Sequence, residues 1–297
     1  MFESKWAVPA AGFKWAERRL LGIMKRGKPA RYLVPLASPD PPRIYDVFSR
    51  TALFRTFASV EPTEAGVLQF ANQYGLLGGH CSTRISEPDA TQPGKFWPGC
   101  GESLDAWVRE IGLMRHVVVD LLENHRNGYA LNLRKFITWE RTKDGCRVLY
   151  TVPPIPGWTR QSNVLASYSK ESLPTVQTGD MLRPAWLAIL IVVNAQLERH
   201  TIQAHLVDRS KTQDAAAALT LPTNSLIAAL WFQLARAVAD NPRIQRCAEC
   251  GAYFEITTEK RADAIFCTPA CRLRAYRKRQ KEQSAGSPKT SSRRHAK

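Results

Sequence analysis

The sequence predicts a mainly α (α+β) protein: an α-helical body interrupted by one β-hairpin, followed by a small cysteine-rich domain near the C-terminus. Three observations predict it. Several stretches repeat apolar residues at helical spacing, and residues 130–152 alternate with a period of two. Four cysteines in two close pairs, Cys247, Cys250, Cys267 and Cys271, then follow the last helical stretch. A chain of 297 residues is long enough to bury a large core and carry an appendage besides.

Residues 1–35 are basic, with Phe13, Trp15, Leu20, Leu21, Ile23 and Met24 interleaved among Lys14, Arg18, Arg19, Lys25 and Arg26. We read them as a basic N-terminal arm: a loosely packed solvated terminus, a short amphipathic helix on the body, or an arm that orders on a partner. Ser38-Pro-Asp-Pro-Pro42 marks a loop before the α-rich body, residues 36–242. The first clear helix runs from Thr63 to Tyr74, with Val67, Leu68, Ala71 and Tyr74 on one face, Thr63 as N-cap and Gly75 as stop. A Gly/Pro-rich loop is expected from Gly78-Gly79 to Gly101. The next helix, about Leu104 to Asn124, is capped by Ser103 and carries the stripe Trp107, Ile111, Met114, Val118, Leu121 and Leu122.

Ile137 and Trp139, the turn Lys143-Asp-Gly145, then Val148, Tyr150 and Val152 form the expected hairpin. Pro153, Pro154 and Pro156 end it. Two further helices are predicted: about Pro184 to Arg199, and about Ser225 to Ala239 with Asn224 as cap and Leu226, Ile227, Leu230, Leu234 and Val238 inward. The remaining tryptophans, Trp97, Trp158, Trp186 and Trp231 among them, are expected at the core or its edge. Residues 243–283 form the cysteine domain, and residues 284–297 have the composition of a disordered basic tail.

The net charge of +16 is unevenly placed. Residues 1–35 hold eight Lys/Arg against two acids, and residues 243–297 hold fourteen against five, so the body between is nearly neutral. Basic ends on a neutral body point to a polyanionic partner, nucleic acid before membrane. The most apolar run, Ala185 to Val193, is nine residues long, against the roughly twenty a bilayer needs. With no signal-peptide pattern at the N-terminus, a cytoplasmic location is expected. Cys81, Cys100 and Cys146 lack pair spacing and read as small hydrophobes of a reducing compartment.

The spacing C-x2-C-x16-C-x3-C can present four thiolates at tetrahedral geometry to one metal ion. Cys247-Ala-Glu-Cys250-Gly251 has the form of a zinc knuckle, with the glycine free to take the conformation the turn needs. Phe254 would plug a tiny core, Glu259–Asp263 would form a hairpin tip, and Ile265-Phe266 the returning strand. Thr268 and Pro269 suit the cap and first position of a helix whose first turn carries Cys271. Knuckle, hairpin and helix give a treble-clef layout. Disulfides would need an oxidising compartment, a redox pair would not need the second pair, and an iron–sulfur cluster also takes four cysteines. The strand-like spacer and helix start favour one structural zinc ion, with no open position for hydrolysis. Four thiolates leave the zinc site at about −2, so some of the arginines beyond would serve to neutralise it.

After the array come Arg272, Arg274, Arg277, Lys278, Arg279 and Lys281, on nearly every face of the helix, with only Leu273, Ala275 and Tyr276 able to pack inward. Such a helix suits phosphates, and binding through it would weaken with salt. The segment from Cys247 to Arg279 resembles the treble-clef fingers at the C-termini of uncharacterised bacterial proteins akin to the CGNR zinc finger family. Leu53-Phe-Arg-Thr-Phe57 and Phe70-Ala-Asn-Gln-Tyr-Gly-Leu-Leu77 are similar to the helical bodies of that group. Where the family reads Cys-Gly-Asn-Arg, this chain has Cys271-Arg-Leu-Arg274, and its cysteine spacings are tighter. The resemblance implies a finger with zinc ligands at Cys247, Cys250, Cys267 and Cys271 and, more weakly, a DNA-binding transcription regulator.

Elsewhere, His116 and Asp120 lie four apart and could share a metal, though such a pair is more often a surface contact. His80-Cys81 beside Gly78-Gly79, with Cys100-Gly101 further on, could make a second site or a nucleophile, but no acid, base or spacing supports either. Nucleotide-binding loops, H-E-x-x-H and G-x-S-x-G are absent, and no enzyme is predicted. The expectation is a zinc-finger protein binding nucleic acid, DNA rather than RNA. Its body would sense a small ligand or mediate oligomerisation, a homodimer included. The alternative is a zinc-stabilised protein–protein interaction module without nucleic-acid binding.

Overall fold

The structure, a computed structural model, describes residues 5–20, 30–88, 96–156, 162–172, 177–200, 205–208, 217–220, 225–256 and 263–286. At residues 87–88, 96–98, 205–208, 217–220 and 281–286 only the backbone is described. The chain divides into two compact units, Met1–Asn241 and Pro242–Lys297.

The first unit opens with strands β1 (Lys5–Val8), β2 (Phe13–Arg18), β3 (Ala30–Pro35) and β4 (Arg43–Asp46), then helices α1 (Leu53–Ala58) and α2 (Glu64–Tyr74). Strands β5 (Ser82–Pro88) and β6 (Phe96–Ser103) lead into α3 (Leu104–Arg115). A π-helical stretch, His116–Glu123, continues α3 and passes into α4 (Asn124–Arg126), with α5 (Ala130–Leu133) beyond. Strands β7 (Ile137–Thr142), β8 (Gly145–Thr151) and β9 (Ser162–Ser169) precede α6 (Leu182–Arg199). Strands β10 (His205–Asp208) and β11 (Ala217–Thr220) then lead to α7 (Leu226–Asp240). The second unit holds β12 (Ile244–Arg246), β13 (Tyr253–Glu255) and α8 (Pro269–Gly286).

Among the described residues, thirteen strands in five antiparallel sheets overturn the mainly α prediction; the fold mixes helices and sheets. The largest sheet has the order β2-β3-β6-β5. It contradicts the sequence reading twice. Residues of the expected N-terminal arm form β1, β2 and β3, with Phe13, Tyr32, Leu33 and Val34 buried. The expected loop from residue 78 to 101 contains β5 and β6. The physical reason is the same in both places. These strands are completed by partners far off in sequence, Tyr32 against Ser103 and Phe13 against Pro35. Tertiary pairing thus outweighs weak local patterning. Residues 21–29 and 89–95 lie outside the described residues.

The strongly periodic segments fold as their spacing requires. In α2, Thr63 accepts from the Gly66 N–H and Gly75 stops the helix at φ +95. Ser103 caps α3 by accepting from the Ala106 N–H, and every member of the stripe from Trp107 to Leu122 is buried. Phe57, Phe70, Tyr74 and Trp107 meet as an aromatic cluster, with Phe57–Phe70 edge to face at 5.3 Å. The predicted hairpin is β7–β8, with Thr142 opposite Gly145, but β9 adds a third strand along the far edge of β8. Ser225 caps α7 through the Ala228 N–H; Asn224, the expected cap, lies outside the described residues, as does Trp158. Among the described residues, no helix is long and apolar enough to cross a membrane.

Candidate metal centre

The second unit is built around its cysteines. Strands β12 and β13 pair with Arg246 opposite Tyr253, so the six residues between them must turn tightly. The Cys247 N–H donates to the Ala252 carbonyl and the Gly251 N–H to the Cys247 carbonyl, both at 2.9 Å. Gly251 sits at φ +70, a region that a side chain would strain, and the Arg246 guanidinium clamps its carbonyl at 3.0 Å. This turn aims Cys247 and Cys250 toward one point.

The second pair arrives at a helix start. The Thr268 hydroxyl accepts from the Cys271 N–H at 3.3 Å, and Pro269 takes the first helical position, where no N–H is needed. Ala248 N–H donates to the Ile265 carbonyl at 2.9 Å, tying the returning chain to the knuckle. Residues 264–266 are not a strand, in contrast to expectation, and the expected hairpin tip falls largely outside the described residues. Cys247, Phe254 and Cys271 form the small core, with Ile256, Ala264, Phe266 and Cys267 packed against it.

All four sulfurs lie within 4.8 Å of one another. Cys250 Sγ is 3.6 Å from Cys267 Sγ, and Cys267 Sγ is 3.5 Å from Cys271 Sγ. A tetrahedral ion with metal–sulfur bonds of about 2.3 Å needs sulfurs about 3.8 Å apart. A disulfide needs about 2.0 Å, and none of the cysteines forms one. The four cysteines can therefore hold a metal ion. The thiols also differ among themselves. Burial opposes ionisation of Cys247, but the N–H groups of Cys250, Cys267 and Glu249 outweigh it and bring the thiol down to about 6. Thr268, then Cys267 and Arg274, lower Cys271, whereas burial raises Cys250 and pushes Cys267 up to about 12.

The basic residues of α8 divide by role. Arg274 Nη2 donates to Cys271 Sγ at 2.9 Å, which puts its charge on a ligand sulfur. Arg272, Arg277, Lys278 and Arg279 are exposed, and Lys281 lies on the helix with its side chain outside the described set. Leu273 and Tyr276, expected to pack inward, are 48% and 54% exposed.

No protein-family model, curated protein or solved structure matches this chain.

The other sequence candidates resolve differently. His116 is buried, and both its ring nitrogens are engaged, Nδ1 with Asp120 and Nε2 with the Tyr150 hydroxyl, each at 2.9 Å. That is a packed hydrogen-bond relay rather than a metal pair. Cys81 is buried, and burial, with the charges of Glu110 and Glu102, pushes its thiol up, the opposite of an activated nucleophile. Cys100 stands apart in β6, opposite Arg84. His80, however, does gain acid and base partners: Glu110 and His200 share its surroundings. Sequence reasoning missed both because they are 30 and 120 residues away, and no local spacing announces them.

Proposed function

We propose that the Pro242–Lys297 unit is a zinc-stapled nucleic-acid-binding module, in a protein that acts as a DNA-binding regulator. Four thiolates at tetrahedral spacing are the ligand set of structural zinc, and they leave no position open for hydrolytic chemistry. Zinc binding would supply folding free energy to a unit whose core consists of little more than Phe254 and the ligands themselves. The observation that carries the reading is the helix α8. Its first turn supplies Cys271, and beyond that ligand it exposes Arg272, Arg277, Lys278 and Arg279. A helix so charged is suited to phosphate contacts, which position a protein on nucleic acid without reading sequence.

A second reading, a protein-docking surface shaped by zinc, is favoured by the exposure of Leu273 and Tyr276 on the same helix. A titration of the full-length protein against duplex DNA and RNA at several salt concentrations separates the two. The nucleic-acid reading expects log affinity to fall linearly with log salt, and the paired change Arg277→Ala, Lys278→Ala to reduce the slope by about two. Absence of binding at low salt would leave the docking reading standing.

A further inference from the structure

We propose that His80, Glu110 and His200 form a second metal site, in the first unit, which takes a divalent transition-metal cation through two imidazoles and one carboxylate. The three residues each offer one ligand atom, and these atoms all lie within 4.8 Å of one another. His80 Nε2 and Glu110 Oε1 are 3.0 Å apart, and the rings of His80 and His200 have centroids 4.7 Å apart. With metal–ligand bonds of about 2.1 Å, neighbouring ligands stand roughly 3.0–3.4 Å apart. The observed cluster therefore closes on an ion with side-chain shifts of about an ångström.

A second observation points the same way. Glu110 is 1% exposed, yet its Oε2 is buried with no hydrogen-bond partner among the described residues, and His200 Nε2 is in the same condition. A buried carboxylate oxygen and a buried imidazole nitrogen left unsatisfied are costly, and a cation is one of the few groups that relieves both. Arg109 Nε, 3.7 Å from Glu110 Oε1, opposes a cation there, and so does the charge of Arg199. Two histidines with one carboxylate suit zinc, iron(II), manganese or nickel and leave coordination positions open to water or an anion.

The framework around the cluster is firm. His80 sits in a single 3-10 turn, Gly79–Cys81, entered through Gly78 and Gly79 at φ +71 and +58. A Cβ on either glycine would come within 3.2 Å of the Ser225 side chain. The Leu77 and Gly78 N–H groups and the Ser82 hydroxyl donate to the Glu102 carboxylate at 3.0, 2.6 and 3.1 Å, fixing both ends of the turn. Glu110 projects from α3, and His200 caps the C-terminus of α6, its N–H bound to the Gln196 carbonyl at 3.0 Å.

Metal-stripped full-length protein titrated with cobalt(II), followed by calorimetry and absorption, tests the site separately from the cysteine centre. Two equivalents are expected for the wild type. One should remain after His80→Asn, Glu110→Gln or His200→Ala, with the thiolate charge-transfer band intact. One should also remain after the paired change Cys250→Ser, Cys271→Ser, with that band abolished. His80→Asn changes a side chain that is 24% exposed, so it is the variant least exposed to misfolding, and an unchanged melting temperature qualifies it. A single equivalent in the wild type, or two in His80→Asn and Glu110→Gln alike, would overturn the proposal.

Discussion

Arg274 donates its guanidinium to Cys271 Sγ at 2.9 Å from one turn further along the same helix. A thiolate so paired is a better partner for a cation in a four-cysteine site, whose total charge would otherwise be strongly negative. Arg274→Ala is therefore expected to weaken metal binding by about 10- to 100-fold. Arg277→Ala, three residues beyond Arg274, should leave it unchanged. Competition against a chromophoric chelator measures both, and equal affinities for the two variants would refute the division of roles within α8.

Chelation should unfold one unit and spare the other. Among the described residues, those around Cys247, Phe254 and Cys271 have no other core, whereas α2 buries Val67, Phe70 and Ala71 and sets Phe70 in the aromatic cluster of the first unit. Hydrogen exchange after metal removal should show peptides from residues 242–286 losing protection while those from Glu64–Tyr74 keep it. Concerted loss from both would mean the two units share one folding transition.

Glu102 should make stability depend on pH in an unusual direction. Burial, opposed by the N–H groups of Gly78 and Leu77, pushes its carboxyl up from 4.5 to about 7. Between those two values the folded protein binds a proton that the unfolded chain releases. The stability that proton confers is complete below pH 4.5 and is lost as pH rises through 7, by on the order of 3 kcal/mol. Glu102→Gln should lack this slope. Denaturant midpoints at pH 5 and pH 8 for both proteins measure the difference, and parallel pH profiles would show Glu102 to be ionised throughout.

Tyr150→Phe should destabilise the first unit by about 1–3 kcal/mol, because it leaves the buried His116 Nε2 without its partner. Asp120→Asn, at a side chain 40% exposed, should cost less, since water can reach the Nδ1 side of the ring. Urea unfolding monitored by tryptophan fluorescence ranks the two variants, and the reverse order would move the relay's importance to its solvent end.

The cysteine centre and the principal helices were legible in the sequence because their geometry is local. A knuckle needs only Cys247, Cys250 and Gly251 within one turn, and a helix start needs only Thr268, Pro269 and Cys271. Similarly, Thr63 and Ser103 cap helices from within their own first turns. Leu273 and Tyr276 show the limit even here. Helical spacing identifies an apolar residue but not whether anything covers it.

What the sequence determined alone was thus the set of features fixed by neighbours in the chain: the four cysteines that could hold a metal, the basic helix they start and the apolar stripes of α2, α3 and α7. What only the tertiary structure decided was every feature that joins distant segments. Phe13–Arg18 becomes a strand because Ala30–Pro35 lies beside it, and that strand in turn finds Ser103. His80, Glu110 and His200 converge because a glycine turn, α3 and the end of α6 pack together. Burial and pairing over such separations depend on the closure of long loops, and no spacing rule read along the chain encodes which loops close.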